Sequence, residues 1–174
     1  MDVLDAMKNR RSIRIFKSDI VSDEILIEGI KYGMFAPSAH NRQPWKFKIL
    51  STLEKNHIAD LLIQKTGSIE GHTGTHTANV IKNVPHLIVI YIDNDIKENR
   101  DMDIISIGAC IQNMILYYES VGLGTLWIGN TNYINEEISD YLGINFETVS
   151  CLAIGYKDQD PHMRHRKVIE EVIV

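Results

Sequence analysis

Apolar residues along this chain change their period repeatedly, and each change predicts an element. Residues 2–10 form a short helical pattern with Val3, Leu4, Ala6 and Met7 apolar. Ser22 stands before Asp23 and Glu24, an N-cap with carboxylates in the first turn. Ile25, Leu26, Gly29, Ile30 and Met34 then recur at helical spacing until Pro37. Trp45, Phe47 and Ile49 alternate with Lys46 and Lys48, a strand with one buried face. Ser51 and Glu54 form a capping-box signature ahead of Ile58, Leu61 and Leu62. Residues 66–77 are rich in Gly, Thr and His, which predicts a mobile loop. Residues 87–92 are continuously apolar and predict a strand covered on both faces.

The longest predicted helix spans residues 103–121. Its first half is apolar all round, which requires burial in the core or against a partner subunit. Residues 125–128 read as a short strand stopped by Gly129. Asn135 caps a helix over 136–142 that Gly143 closes. Residues 148–156 read as another apolar strand, and 168–174 as a strand-like tail. No repeat or linker interrupts the pattern, so residues 1–174 are expected to form one domain of α/β or α+β class.

Composition is that of a soluble globular protein, 44% hydrophobic and 24% charged. The first five residues lack the basic region and apolar run of a signal peptide, and no stretch reaches the length of a membrane span. Cys110 and Cys151 lie in apolar runs and read as buried thiols in a reducing compartment, so a cytoplasmic location is expected. The net charge of −5 argues against nucleic acid as a partner.

Against that acidic balance, Arg10, Arg11, Ser12 and Arg14 fall within five residues. Guanidinium forks match phosphate or carboxylate with paired hydrogen bonds. If the segment is extended, Arg10, Ser12 and Arg14 share one side while Ile13 and Ile15 anchor the other. The alternative is a solvated helix end whose cations favour the helix dipole. A second basic cluster, containing Arg164 and Arg166, also alternates. Other chemistry finds little support. Gly122, Gly124 and Gly129 follow a helix and precede a strand, the reverse of a dinucleotide-binding turn. His72 and His76 are four apart but in a glycine-rich stretch with no adjacent Glu, so no metal is assigned. Ser38 and Cys151 have no sequence context that supplies a base.

Four ordered motifs resemble the flavin-dependent nitroreductase family. They are Arg10-Arg11-Ser12-Ile13-Arg14-x-Phe16; Ala36-Pro37-Ser38-Ala39-x-Asn41-x-Gln43-Pro44-Trp45; Gly108-Ala109-x-x-Gln112-Asn113-Met114 with Gly122-Leu123-Gly124-Thr125-x-Trp127-Ile128-Gly129; and Arg164-x-Arg166-Lys167 followed by Glu170-Glu171-Val172. The resemblance implies an α+β fold, a mostly antiparallel central sheet flanked by helices, and an intertwined homodimer with FMN at the interface. It implies that Arg10, Arg11, Ser12 and Arg14 contact the phosphate, ribityl chain and pyrimidine edge, with Arg164 and Arg166 completing the phosphate site. Pro37, Ser38, Asn41 and Gln43 would approach the same flavin from the partner. Backbone groups at Ile128 and Gly129 would face the ring near its reactive nitrogen, and residues 167–174 would reach across to the partner. The implied activity is hydride transfer from NAD(P)H through FMN to a nitroaromatic, quinone or similar small acceptor, in ping-pong order and without a catalytic side chain. Dehalogenation, flavin breakdown or non-catalytic FMN binding are the alternatives on the same fold.

Overall fold

The strand without a polar interruption is the one that needs cover on both sides, and it lies in the middle. The computed structural model describes residues 1–69, 73–93 and 100–174. Its sheet has four strands: β1 (Trp45–Ile49), β2 (His86–Ile92), β3 (Leu123–Ile128) and β4 (Glu147–Tyr156). Their order is β1-β2-β4-β3, and every pairing is antiparallel. Along β2 the side chains alternate between two cores. Leu87, Val89 and Tyr91 pack with Ile58, Leu62, Ala78 and Ile81. Ile88, Ile90 and Ile92 pack with Leu26, Ile107, Ile111, Met114 and Tyr118. The first core is covered by helices α3 (Thr52–Thr66), α4 (Gly74–Asn83) and α6 (Asn135–Leu142), the second by α2 (Asp23–Gly33) and α5 (Arg100–Ser120). The short helix α1 (Val3–Asn9) packs on α5. Strands and helices are thus layered as an α+β fold.

Local signals account for most boundaries. Asp2 accepts the Asp5 N–H at 2.8 Å and starts α1. Ser51 and Glu54 form the full capping box on α3. Gly143 closes α6 in the left-handed region at φ 63°. Two caps differ in detail: Ser22 precedes α2 without a side-chain bond to its backbone, and Ile134, not Asn135, is the N-cap residue of α6.

Three expectations need larger correction. Residues 74–77 are helical rather than part of a loop, because Gly74, Thr77, Ala78, Val80 and Ile81 form the buried face of α4. Glycine and threonine on that face disguise its period; residues 70–72 of the expected loop lie outside the described residues, as does His72. Residues 168–174 form no strand but a single 3-10 turn, Ile169–Glu171, and are exposed. Helix α5 is covered by the core on only part of its surface, with Ile105 73% exposed in the single chain, which leaves the partner-subunit alternative for that face. Ile13 anchors the arginine segment at 1% exposure, but Ile15 is exposed.

One core contact titrates. A ring nitrogen of His86 accepts the Val21 N–H at 3.0 Å, which requires a free lone pair. Burial holds the imidazole below its usual range, aided by the Lys55 ammonium and opposed by Asp23. Around pH 6.5 the unfolded chain therefore binds a proton more readily at this position than the folded chain does. Stability is complete above that pH and falls as pH drops through it. Melting curves between pH 7 and pH 5 should show a smaller decline for His86→Gln than for the natural sequence; equal declines would remove His86 as the cause.

Candidate functional site

The arginine segment is extended and laid against the open edge of β3. Ser12 forms a parallel bridge with Thr125, and Ile13 N–H donates to Thr125 O at 2.9 Å. Phe16 pairs antiparallel with Lys157. Close approach requires Gly124, where a Cβ would collide with Ile13 and Lys157 side-chain atoms at 2.7 and 2.8 Å. Lys157 is itself fixed by both oxygens of the buried Glu119, at 2.6 and 2.7 Å. The Ser12 bridge covers the edge of β3 only near Thr125. Thr125 turns its backbone outward to meet Ile13, so alternation turns the backbone of Trp127 outward too and that of Ile128 inward to β4.

Beyond the bridge lies a cleft of about 240 Å³. Arg14, Ile128 and Gly129 line it, together with His76, Thr77 and Asn130. The Asn130 amide donates to Thr73 and Thr77 hydroxyls at 2.8 and 2.9 Å, tying α4 to the end of β3. Arg14 and His76 also line an adjoining cleft of about 410 Å³ with Ser18, Asn79 and Asn83. No carboxylate lines either cleft among the described residues. Arg14 donates to Ser12 O at 3.3 Å and has no acidic partner among them. A cation held by its backbone, beside neutral donors and an open strand edge, suits a flat ligand carrying partial negative charge.

The other arginines are distributed differently. Arg10 ends α1. Arg11 folds back on that helix, donating to Lys8 O at 2.7 Å and Arg10 O at 2.9 Å, while its buried Nε has no partner among the described residues. Ser12 is exposed beside the bridge. Arg164 and Arg166 are exposed in the stretch after β4, and no bond among the described residues joins them to Arg10, Ser12 or Arg14.

The second signature forms a tight loop on α5. Pro37 and Ser38 line a groove of about 320 Å³ with Met102, Ile105, Ser106 and Ala109. His40, Asn41 and Gln43 are left-handed, at φ 53°, 54° and 50°, and Arg42 between them is right-handed. Asn adopts that region readily; His and Gln do so at a cost. The alternation exposes Asn41 and Gln43 and turns Arg42 inward, where its Nε and Nη2 donate to Asp103 Oδ1 at 3.1 and 2.6 Å. Ser38 Oγ accepts the Gln43 N–H at 3.0 Å.

Sequence reasoning missed His76, Thr77, Asn130 and the Arg42–Asp103 pair. Arg42 lay inside a quoted signature, but its partner lies in the first turn of a helix, sixty-one positions away. The cysteines are no nucleophiles: burial pushes the Cys151 thiol up to about 12 and the Cys110 thiol likewise. His76 stands on α4, and no three potential metal ligands cluster among the described residues.

Comparison with known proteins agrees with this architecture. The Nitroreductase family model matches residues 7–156. An Archaeoglobus fulgidus protein, named for an inferred NADH dehydrogenase or NAD(P)H nitroreductase activity, is 30% identical over 166 residues, 91% of this chain and 87% of that protein. The nitroreductase-like family protein of Bacillus cereus superposes with a TM-score of 0.82 at 27% identity, over 100% of this chain and 95% of the other. An inferred nitroreductase from Desulfovibrio desulfuricans, solved in complex with FMN, superposes with a TM-score of 0.83 at 24% identity, over 100% and 96% of the two chains, and shares the fold. On the extent of the family match, from the end of α1 through β4, this chain belongs to the nitroreductase family.

Proposed function

We propose that the protein is an FMN-dependent oxidoreductase that takes hydride from NAD(P)H and delivers it to a small acceptor such as a nitroaromatic or quinone. One observation carries this reading: Arg14, Ile128 and Gly129, from sequence motifs more than a hundred residues apart, line one carboxylate-free cleft at the edge of β3. The FMN complex of a relative sharing the fold supports the choice of flavin, and the name of the Archaeoglobus relative supports the nicotinamide donor.

The residues present fit the group. Arg14 is a permanent cation with only a long bond inside its own segment, suited to the pyrimidine edge that gains negative charge on reduction. Backbone of β3 and Gly129 faces the ring. Arg10, Arg11, Ser12, Arg164 and Arg166 hold the phosphate and ribityl chain. When bound, FMN supplies the hydride chemistry, accepting from the donor and releasing to the acceptor in ping-pong order. No acid or base from the protein is required for that, and none is assigned.

The reading includes a homodimer. Val3, Leu4 and Met7 on α1, Met102 and Ile105 on α5, and Ile169 and Ile173 in the tail are exposed apolar residues. A second copy would cover them and bring Pro37, Ser38, Asn41 and Gln43 to the partner's cleft. We read the chain as one domain over residues 1–174, with residues 167–174 crossing to the partner, acting in the reducing cytoplasm.

The test is an anaerobic titration of FMN-loaded protein with NADH and NADPH, followed by acceptors. The expected protein is yellow, bleaches with a nicotinamide donor and recovers with acceptor. Protein that takes up no FMN would falsify the reading. Arg14→Ala should weaken FMN binding by roughly ten- to a hundredfold, the value of one or two charge-assisted hydrogen bonds. An unchanged dissociation constant and an unchanged flavin potential would move Arg14 out of the site.

A further inference from the structure

The carbonyl oxygen of Ile128 accepts hydrogen bonds from two hydroxyls, Ser150 Oγ at 2.9 Å and Thr131 Oγ1 at 3.1 Å. Both residues are buried, Ser150 at 3% exposure and Thr131 at 0%. Ser150 also accepts the Trp127 indole N–H at 2.8 Å, so its proton is committed to Ile128 and a lone pair to Trp127. A single donor would satisfy the carbonyl. Two, arriving from β4 and from the turn after β3, fix the plane of the peptide that follows Ile128.

That peptide is trans. Its N–H, on Gly129, therefore points opposite to the Ile128 carbonyl. The carbonyl is drawn toward β4, so the Gly129 N–H is turned outward, on the side where Gly129 lines the Arg14 cleft. Gly129 is exposed, its N–H has no partner among the described residues, and nothing stands within 4 Å of the space a Cβ would take. The result is one unused backbone donor, rigidly aimed from behind by buried hydroxyls.

We propose that Ser150 and Thr131 are positioning residues that clamp the Ile128–Gly129 peptide, so that its outward N–H is held as a fixed donor toward the flavin ring that the proposed function puts in this cleft. This rests on the FMN reading above, since it requires an electron-accepting ring in that cleft. A donor aimed before reaction needs no reorganisation when charge develops opposite it. A peptide free to rock by tens of degrees loses that alignment, because hydrogen bonds weaken steeply with angle. Neutral hydroxyls achieve the aim without adding a charge behind the ring.

The test compares the natural protein with Thr131→Val, Ser150→Ala, the double variant and Thr131→Ser. Three quantities are read: the rate of anaerobic reduction of bound FMN at saturating NADH, the FMN dissociation constant, and the line shape of the Gly129 amide resonance in protein without FMN. In the double variant, reduction should slow roughly tenfold or more, a fraction of what removing a whole preorganised donor costs. FMN affinity should stay within about twofold, because the phosphate arginines are untouched. The Gly129 resonance should broaden through microsecond-to-millisecond exchange. Thr131→Ser, which keeps the hydroxyl, should restore rate and line shape. A folded double variant with the natural rate and a sharp Gly129 resonance overturns the clamp; a merely structural pair gives that pattern with a lowered melting temperature. Should the double variant not fold, Thr131→Val, which keeps the shape of the side chain, decides on the same readings. If the natural protein takes up no FMN, the functional reading fails, while the Gly129 line shape still reports separately whether the hydroxyls hold the peptide.

Discussion

Asp103→Ala should lower stability by about 3–5 kcal/mol, the cost of stranding one member of a buried ion pair. The carboxylate is buried and its partner nearly so, with side-chain exposures of 6% and 17%. Removing Asp103 leaves the largely buried Arg42 guanidinium with neither of its two contacts to the Asp103 carboxylate. The damage does not stop at the pair. His40 and Gln43 hold left-handed conformations that cost of order 1 kcal/mol each, and Asn41 between them holds one that asparagine adopts readily. Arg42 is the anchor that keeps them so. Without it the loop relaxes, and the outward display of Asn41 and Gln43 is lost. For a chain of this size the stability loss corresponds to a melting temperature lower by roughly 10 °C. Calorimetry of Asp103→Ala beside Asp103→Asn checks this. Asn keeps one acceptor and should lose less; equal stability of Asp103→Ala and the natural protein would show that the pair is decoration.

Gly29→Ala, a change that ordinarily strengthens a helix, should destabilise this one by about 2–3 kcal/mol. Alanine gains close to 1 kcal/mol of helix propensity over glycine, so the packing cost must exceed it. It does, because a Cβ on Gly29 would lie far inside van der Waals contact of Cζ, Cε1 and the hydroxyl of Tyr118. Tyr118 cannot retreat: it is buried at the centre of the second core, and its hydroxyl donates to Leu26 O at 2.8 Å. Helices α2 and α5 pack here through the bare backbone of Gly29 against the Tyr118 side chain. Chemical denaturation of Gly29→Ala and of the Gly29→Ala/Tyr118→Leu double variant separates the terms. The smaller side chain should recover part of the loss. If Gly29→Ala raises the unfolding midpoint instead, propensity outweighs packing and the close contact yields.

How much of this was readable in advance depended on which residues carry a signal by themselves. The strands declared themselves through period: alternation at Trp45, Phe47 and Ile49, continuity over Leu87 to Ile92. Helix α3 was announced by two residues, Ser51 and Glu54, whose side chains bond the backbone next to them. Helix α4 was not, because its buried face is built from Gly74, Thr77 and Ala78, residues common in loops and made apolar only by what they pack against. The apolar half of α5 was legible as needing cover, but its pattern does not separate core from a second copy, and Ile105 lies on the face the core leaves open. In the candidate site, Arg14, Ile128 and Gly129 were legible through motif. Their meeting in one cleft depends on the long-range contact of Ser12 with Thr125, which no local pattern encodes.

The same contact bears on how the protein is made. One wall of the cleft is supplied by residues near the start of the chain, and its opposite wall hangs from β3, which is held by β4 close to the end. Loop closure between such distant segments is the slow part of assembly. On a ribosome the arginine arm emerges first and finds nothing to lie against until the second half of the chain has been synthesised. A cleft of this construction forms only after β4 has been synthesised, and a ligand held there would join segments from the two halves of the chain.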